Sequence, residues 1–505
     1  MRDIMECKAE VLRRSESRIK ERAAKRARVL AVCIPLCFVF AVCSIIALPQ
    51  IMTDNANSSF DGQKLPTATV GGHYGNSNGS NNGGNQIYGD GTNKGENQSN
   101  GDVVIPPWPD RPVNLQATNL MASVTSNRVN ILDNLGSQNA AVTDFALRLF
   151  RASEKSGENT LISPLSVLCA LSMTANGAEE ETLREMESVL GMTKDELNLY
   201  LYSYVKSLPQ GEKYKLSLAN SIWFTEDESF TVNQDFLQTV ADYYGADIYK
   251  APFNKQTCDD INSWVKQKTD GMIPEVLDEI SPDTVMYLIN ALAFEAEWSD
   301  VYCEFQVQDG VFTREDGVKQ DVEFMYSSES KYLEDEFATG FIKYYKGGKY
   351  AFAALLPKED LTVSEYIATL DGESLHKLLS NPQRAEVNAA IPKFECEYGV
   401  EMSNILKGMG MTDAFDANNA DFDGLGTSAN GNIFIGQVIH KTFISVGELG
   451  TKAGAVTVVD MPAGSAPGEP EEPKQVYLDR PFVYMLIDCE NDIPFFIGTM
   501  TDIEK

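Results

Sequence analysis

The segment that decides the fold begins at residue 448 and reads Glu448-Leu449-Gly450-Thr451-Lys452-Ala453-Gly454-Ala455-Val456-Thr457-Val458-Val459. Successive side chains of a β-strand point to opposite faces of its sheet. One parity of this segment is uncharged, and small near its start: Thr451, Ala453, Ala455, Thr457, Val459 and Met461. From Thr451 to Met461, the other parity carries both charges, Lys452 and Asp460. The segment can therefore enter a sheet as a strand with little penalty for desolvation.

The residues after this segment do not suit a strand. They contain several prolines and acidic residues, namely Pro462, Pro467, Pro470, Pro473, Glu469, Glu471 and Glu472. Proline lacks a backbone N–H and favours an extended, solvated chain, so this stretch is predicted to be stiff and exposed. Immediately before Pro467 stand four small residues: Ala463, Gly464, Ser465 and Ala466. The chain thus passes from a segment that can be buried to one that is presented to solvent.

The surrounding pattern predicts one large domain, residues 113–505. Apolar residues have helical spacing at 142–152, at 164–176 behind a Ser163 cap, and at 182–190. Strand-like runs occur at 216–224, 285–294, 350–356, 433–446 and 482–488. Helices cluster early and strands late instead of alternating, so the predicted fold class is α+β.

Composition narrows the range of functions. The 505 residues are 43% hydrophobic, which is sufficient for a sizeable core. The formal net charge is −31 and no basic stripe follows residue 30, so no nucleic-acid partner is predicted. The nine cysteines include no CxxC pair and there are only three histidines. We therefore predict no metal or other cofactor, and we expect the cysteines to be buried free thiols.

The amino-terminal region predicts a membrane anchor. Residues 1–28 are rich in arginine and lysine, whereas residues 29–48 contain no charged side chain. Twenty helical residues span about 30 Å, the thickness of the hydrocarbon core of a bilayer. Basic flanks remain cytoplasmic, so residues 1–28 are predicted to lie inside the cell and everything after residue 48 outside it. The alternative is a signal peptide whose cleavage would release a secreted protein.

A linker separates this anchor from the domain. Residues 49–112 are dominated by glycine, asparagine, serine and proline. Such a sequence cannot bury enough apolar surface to offset the loss of chain entropy, so it is predicted to be a disordered extracellular tether. Low complexity of this kind after a single anchor suggests a bacterial cell surface.

Ten short stretches, taken in order, resemble the serpin family. They are Asn159-Thr160-Leu161-Ile162-Ser163-Pro164-Leu165-Ser166, Leu216-Ser217-Leu218-Ala219-Asn220, Asn262-Ser263-Trp264 with Thr269-Asp270-Gly271-Met272-Ile273, Leu288-Ile289-Asn290-Ala291-Leu292-Ala293-Phe294, Leu355-Leu356-Pro357, Ile391-Pro392-Lys393-Phe394, Gly410-Met411-Thr412-Asp413-Ala414-Phe415, Ile439-His440-Lys441, Glu448-Leu449-Gly450-Thr451 and Arg480-Pro481-Phe482. One departure is Phe294-Glu295-Ala296-Glu297-Trp298, where the family usually has Phe-Lys-Gly-x-Trp. The local turn or surface is expected to differ there.

The resemblance implies a serpin fold, in which a large central β-sheet is accompanied by additional sheets, surrounding helices and an exposed reactive-centre loop, about 448–480. It also implies a suicide inhibitor of serine proteases and not an enzyme. The target protease forms an acyl-enzyme with the loop, and insertion of the cleaved loop into the main sheet traps that covalent complex. The protein is expected to be a monomer.

The resemblance further implies roles for individual residues. The hinge of the loop is expected at Glu448, Gly450, Thr451, Ala453, Ala455 and Thr457. The shutter, a polar cluster beneath the strands that must part, is expected at Ser163, Ser166, Asn290 and His440. The attacked bond is expected in the region of Ala463, Gly464, Ser465 and Ala466, whose small side chains suit an elastase-like or subtilisin-like protease.

Two other functions remain open from the sequence. The chain could be a non-inhibitory serpin-fold protein, with a binding or chaperone-like role, whose loop is cleaved without trapping the protease. It could also be a surface adhesin in which the loop is incidental. All three functions predict the same fold, so only the consequences of loop cleavage can separate them.

Overall fold

The computed structural model describes residues 115–209, 211, 213–281, 284–451 and 472–503. The predicted cytoplasmic segment (1–28), membrane anchor (29–48) and linker (49–112) lie outside these residues. The loop residues 452–471 also lie outside them.

Local sequence signals mark the start of some helices, whereas the helix predicted from residue 142 begins six residues earlier, at Gly136. Thr193 caps one helix through a reciprocal pair of hydrogen bonds with Glu196, and Ser163 caps another that has proline at its first position. The helices are α1 (Gly136–Ser153), α2 (Pro164–Ala175), α3 (Glu180–Leu190), α4 (Lys194–Ser207), α5 (Gln234–Tyr243), α6 (Lys255–Lys268), α7 (Val363–Thr369), α8 (Gly372–Ser380) and α9 (Ser403–Gly408). Every residue of α2 is buried, which makes it the central helix of the core.

Seven strands form the sheet that we call sheet A. In spatial order they are β1 (Thr118–Asn119), β5 (Asp247–Ala251), β3 (Tyr214–Thr225), β6 (Met286–Glu297), β15 (Gly450–Thr451), β14 (Gln437–Gly447) and β12 (Phe394–Glu401). β6 and β14 also pair directly with each other in parallel.

A second sheet contains nine strands. In spatial order they are β16 (Lys474–Tyr477), β11 (Gln383–Pro392), β8 (Lys319–Glu334), β9 (Ala338–Tyr344), β10 (Tyr350–Pro357), β17 (Phe482–Asp488), β18 (Ile493–Met500) and β2 (Thr160–Ile162), with β7 (Val307–Thr313) paired to β8. β4 (Thr231–Val232) and β13 (Gly426–Thr427) form a small separate ribbon. The predicted α+β class is confirmed, since most strand pairs are antiparallel and six of the nine helices in the described residues precede β6.

Both faces of sheet A are buried. Along β6, Leu288, Leu292 and Phe294 join the main core, whereas Tyr287 and Ile289 join a second cluster that α6 covers with Trp264. Because side chains alternate along a strand, β6 reads as an almost continuous apolar run. Sheet A is therefore covered by apolar layers on both faces along β6, whereas alternate residues of β12 are exposed.

The strand-like run predicted at 433–446 is shifted in the structure. β14 begins only at Gln437, after Gly436. A Cβ atom on Gly436 would lie 2.0 Å from a methyl carbon of Thr284 and 2.9 Å from the carbonyl oxygen of Met286. Only glycine permits this close approach to the chain that leads into β6, so residues 433–435 precede the strand instead of extending it.

The expectation of buried free thiols is only partly met. The five cysteines of the described residues are unpaired, and Cys169, Cys258 and Cys396 are buried. Burial raises the pKa of Cys169 to about 12, which keeps that thiol protonated and unreactive. Cys303, in contrast, is exposed, because the short turn that carries it lies on the surface.

Candidate functional site

Sheet A is divided at one end. β6 and β14 pair in parallel as far as Leu292 and Thr442. In the described residues this direct pairing continues no further, and β15 lies between the two strands, antiparallel to both. Gly450 and Thr451 therefore occupy the first positions of a strand that the next residues of the chain could extend.

Gly450 is the residue that allows the chain to turn into the sheet. Its φ angle is +147°, and a Cβ atom there would lie 1.9 Å from the carbonyl oxygen of Ala296. A residue with a side chain would clash with the backbone of β6. The hinge predicted at this position thus has a physical requirement for glycine.

Thr451 is buried between β6 and β14, with 1% of its surface exposed. Its hydroxyl lies 2.5 Å from the phenolic oxygen of Tyr345. The predicted inward parity is correct at this first position. Ala453, Ala455 and Thr457, the remaining members of the predicted hinge, lie outside the described residues.

Three hydrogen bonds hold the turn between β14 and β15. The Trp298 amide donates to the Leu449 carbonyl (2.9 Å), and the Tyr302 amide donates to the Glu448 carbonyl (3.0 Å). The indole N–H of Trp298 donates to the Gly447 carbonyl at 2.9 Å. Three consecutive carbonyls of the hinge are therefore bound by one short segment that follows β6.

An ion pair anchors the side chain of Glu448. Lys393 lies 2.5 Å from its carboxylate and 3.0 Å from that of Glu323. Partial burial opposes ionisation of Glu448, but its hydrogen bond to Lys393 holds its pKa below the usual value. Sequence analysis identified Glu448 but not its partner, because Lys393 lies 55 residues earlier in the chain, next to β12.

Within the segment 294–298, the variable position of the family pattern, Glu297, forms an ionic site. Glu297 is buried at the end of β6, where it contacts Lys213 at 2.9 Å and Lys346 at 3.1 Å. Burial disfavours its charge, yet hydrogen bonds from the two lysines keep its pKa below the usual value. The charge of Glu297 is thus compensated locally at the last residue of β6, and Trp298 follows directly.

The four predicted shutter residues lie together. His440 and Asn290 are direct neighbours across β14 and β6, and their Nδ1 and Oδ1 atoms are 2.5 Å apart. The Asn290 oxygen also accepts from the Ser166 hydroxyl at 3.1 Å. The Ser163 amide donates to His440 Nε2 at 3.0 Å. The cluster therefore joins the start of α2 to the two strands that would have to separate.

The hydrogen bonds fix the protonation of His440. Its Nε2 accepts a backbone N–H, so the ring proton must be on Nδ1, which donates to Asn290. Complete burial lowers the pKa of His440 to about 3, and the ring is neutral in the folded protein. A neutral, fully hydrogen-bonded histidine suits a structural role.

Comparison with known proteins identifies the family. The sequence model of the family described as "Serpin (serine protease inhibitor)" matches residues 140–503. The chain belongs to the serpin family. It is 29% identical to an uncharacterised serpin-like protein of Thermococcus kodakarensis, over 71% of this chain and 84% of that protein. It is also 29% identical to the leukocyte elastase inhibitor of Equus caballus, over 71% of this chain and 97% of that protein.

Solved structures confirm the serpin fold. The thermophilic serpin tengpin in its native state is 49% identical and has a TM-score of 0.73, with 77% of this chain and 100% of that chain covered. Tengpin in its latent state has a lower TM-score of 0.65, at 47% identity and 75% and 100% coverage. This serpin is therefore more similar to the native than to the latent form.

The remaining predicted features of this serpin lie mainly outside the described residues. These include the candidate scissile region, Ala463, Gly464, Ser465 and Ala466, and the anchor at 29–48. None of the helices in the described parts of the chain has the length and apolar character needed to cross a membrane. The same parts contain no histidine, cysteine, aspartate and glutamate group suited to a metal ion. The prediction of a loop over about 448–480 is wrong at residues 474–477, because Lys474–Tyr477 pairs with β11 as strand β16.

Acid should weaken the shutter of this serpin. The unfolded chain binds a proton to His440 below about pH 6.5, whereas the folded protein does so only near pH 3. Stability from this group is therefore complete above about pH 6.5 and decreases by roughly 1.4 kcal/mol per pH unit below it. Between about pH 7.5 and about pH 5, we expect urea unfolding of the wild type to lose about 2 kcal/mol more than that of His440→Gln. Equal losses would contradict the assigned burial of a neutral ring.

Proposed function

We propose that this serpin is a suicide inhibitor of serine proteases. The serine hydroxyl of the protease would attack a carbonyl of the loop, the peptide bond would break with release of the new amine, and an ester would join the two proteins. Extension of β15 between β6 and β14 would then carry the protease away before water hydrolyses the ester. The observation that carries this proposal is the burial of Gly450 and Thr451 between these two strands.

The proposed targets are elastase-like or subtilisin-like proteases. Their shallow specificity pockets suit Ala463, Gly464, Ser465 and Ala466. The similarity to a protein named leukocyte elastase inhibitor supports the same class. The described start of the loop adds no bulky or charged inward residue, because Thr451 is small and neutral.

The proposed location is the outer face of a bacterial cell membrane. Residues 29–48 would span the bilayer once and residues 49–112 would hold the serpin domain away from it. Cleavage after the apolar run would instead give a secreted inhibitor. Detection of residues 1–28 in membrane-bound protein by mass spectrometry would distinguish these two outcomes.

The inhibitory function is tested by mixing the ectodomain with an elastase-like or a subtilisin-like protease. We expect a complex of the summed masses that survives boiling in SDS, because an ester bond holds it. A protease whose catalytic serine is replaced by alanine should give no such band, and a trypsin-like protease should give little. If every active protease cuts the loop without forming the band, the chain is a non-inhibitory or adhesive serpin instead.

A further inference from the structure

The short segment after β6 that carries Trp298 and Tyr302 also contacts a buried lysine. Lys343, on β9, has only 3% of its side chain exposed. Its ammonium nitrogen lies 4.4 Å from the ring centre of Tyr302 and 5.5 Å from that of Trp298. A desolvated cation is attracted to the faces of aromatic rings, so Lys343 is bound by the same two residues whose amides hold Glu448 and Leu449.

A closed hydrogen-bond network fixes the lysine from the other side. The ammonium of Lys343 donates to Glu329 at 2.9 Å, and the Ser327 hydroxyl donates to the same carboxylate oxygen at 2.7 Å. The Ser327 proton is then committed, so the phenol of Tyr302 must be the donor to Ser327, at 3.2 Å. The network runs from Tyr302 through Ser327 and Glu329 to Lys343, and returns to the ring of Tyr302.

A second path leads from this lysine to the first inserted residue. The ring of Trp298 stacks on that of Tyr345 with 4.3 Å between centres and 6° between planes. Tyr345 in turn hydrogen-bonds the hydroxyl of Thr451. Burial disfavours the ammonium, yet the Tyr302 oxygen and the Glu329 carboxylate hold the pKa of Lys343 above its usual value, so the cation persists. Lys343 is thus linked by contacts of Trp298 and Tyr302 to the backbone carbonyls of Glu448 and Leu449, and through Trp298 and Tyr345 to the side chain of Thr451.

We propose that the Lys343–Glu329 pair positions the hinge for insertion. This inference rests on the proposed inhibitory function, in which insertion competes with hydrolysis of the acyl-enzyme. By holding Trp298 and Tyr302, the pair keeps Gly450 and Thr451 paired with β6 and β14 before cleavage. Because the first two residues of the strand are already paired, the loop does not lose the conformational entropy needed to start a new strand, and insertion is faster. Lys343 and Glu329 contact neither the loop nor the protease in this scheme, and they are positioning residues.

Replacing Lys343 and Glu329 together by neutral residues of similar shape distinguishes an effect on the position of the hinge from a general loss of stability. Lys343→Met alone leaves the Glu329 charge buried without its partner and should lower stability. The double variant Lys343→Met/Glu329→Gln removes both charges together, so its urea midpoint should remain close to that of the wild type. If this midpoint falls, Lys343→Arg serves as the second comparison, because it retains a cation for the two rings. A double variant of a distant, half-buried pair, Arg314→Met/Asp502→Asn, is the matched control.

Two measurements on the ectodomain test the proposal. In the Lys343→Met/Glu329→Gln variant, hydrogen exchange in a peptide spanning residues 447–451 should become about five-fold faster, the equivalent of about 1 kcal/mol. The number of inhibitor molecules consumed per trapped elastase-like protease should rise, while the rate of the first encounter is unchanged. The Arg314→Met/Asp502→Asn control should change neither quantity, and Lys343→Arg should retain much of the wild-type behaviour.

The outcomes distinguish this inference from the proposed function. If the neutral double variant has the same hydrogen-exchange rate and the same inhibitor consumption per trapped protease as the wild type, the positioning role is refuted, while the inhibitory function is unaffected. If the wild type traps no protease, the inhibitory function fails. The exchange measurement then decides the inference alone, since faster exchange supports the positioning of residues 447–451 and unchanged exchange refutes it.

Discussion

Replacement of Thr451 by arginine is expected to convert this serpin from an inhibitor into a substrate. Thr451 is buried between β6 and β14, and its hydroxyl contacts Tyr345. A guanidinium at this position would be a buried charge without a partner, which costs about 3 kcal/mol or more, a factor of about 100 in an equilibrium. The Thr451→Arg loop would still be exposed and cleaved, but insertion would be too slow to trap the acyl-enzyme.

The change is measured as the fraction of an elastase-like protease that enters the SDS-resistant complex. Thr451→Ser is the matched control, because it retains a small side chain and the hydroxyl that reaches Tyr345. We expect Thr451→Ser to trap normally and Thr451→Arg to give cleaved inhibitor with almost no complex. Efficient trapping by Thr451→Arg would mean that insertion does not pass through the pairing seen at β15.

The resemblance to the serpin family, and not a local pattern, predicts which four residues form the shutter. The patterns themselves indicate only that Ser163 caps the helix that begins at Pro164 and that Asn290 and His440 lie in strand-like runs. The structure adds the register, in which Asn290 and His440 are direct neighbours across the two strands. A pattern of alternating residues sets the face of a side chain but not its partner on another strand.

The partners of the hinge could not be predicted in the same way. Lys393, Tyr345 and Tyr302 reach it from separate segments of the chain, and no local periodicity connects them. The buried Lys343 carries no sequence signal either, since it lies in an otherwise apolar strand and is compensated by Glu329, 14 residues earlier. Burial of charge depends on three-dimensional contacts, which composition and spacing do not encode.

The limits of the loop were also difficult to predict. Its prolines predict a stretch that cannot pair, which lies almost entirely outside the described residues, and Lys474–Tyr477 after it is only four residues long. Alternation over four residues is too short to distinguish a strand from an extended loop. Parallel pairing with β11 is therefore a tertiary effect, and it brings the end of the exposed loop back to the second sheet.

Cleavage of the loop is expected to raise the thermal stability of this serpin strongly. In the described residues of the intact protein, β15 comprises Gly450 and Thr451, and β6 pairs with β14 in parallel below it. Once the loop is cut, residues 452–461 are released to continue β15 with the uncharged parity inward, forming hydrogen bonds on both sides. Antiparallel pairing replaces the parallel pairing, which is slightly weaker per residue. A net gain of about 5 kcal/mol would raise the melting midpoint by about 6 °C in a domain of this size, because the entropy of unfolding is about 2.1 cal/mol/K per residue.

Calorimetry of the nicked and the intact ectodomain measures this change, and two controls define its cause. A cut within residues 49–112 should leave the midpoint unchanged, because that segment is predicted to be a disordered linker. A nicked Thr451→Arg variant should gain little, because its first inserted residue opposes burial. If the nicked and the intact wild type have the same melting midpoint, the loop does not insert between β6 and β14. The burial of Gly450 and Thr451 would then belong to an ordinary hairpin, and the intact protein would store no free energy.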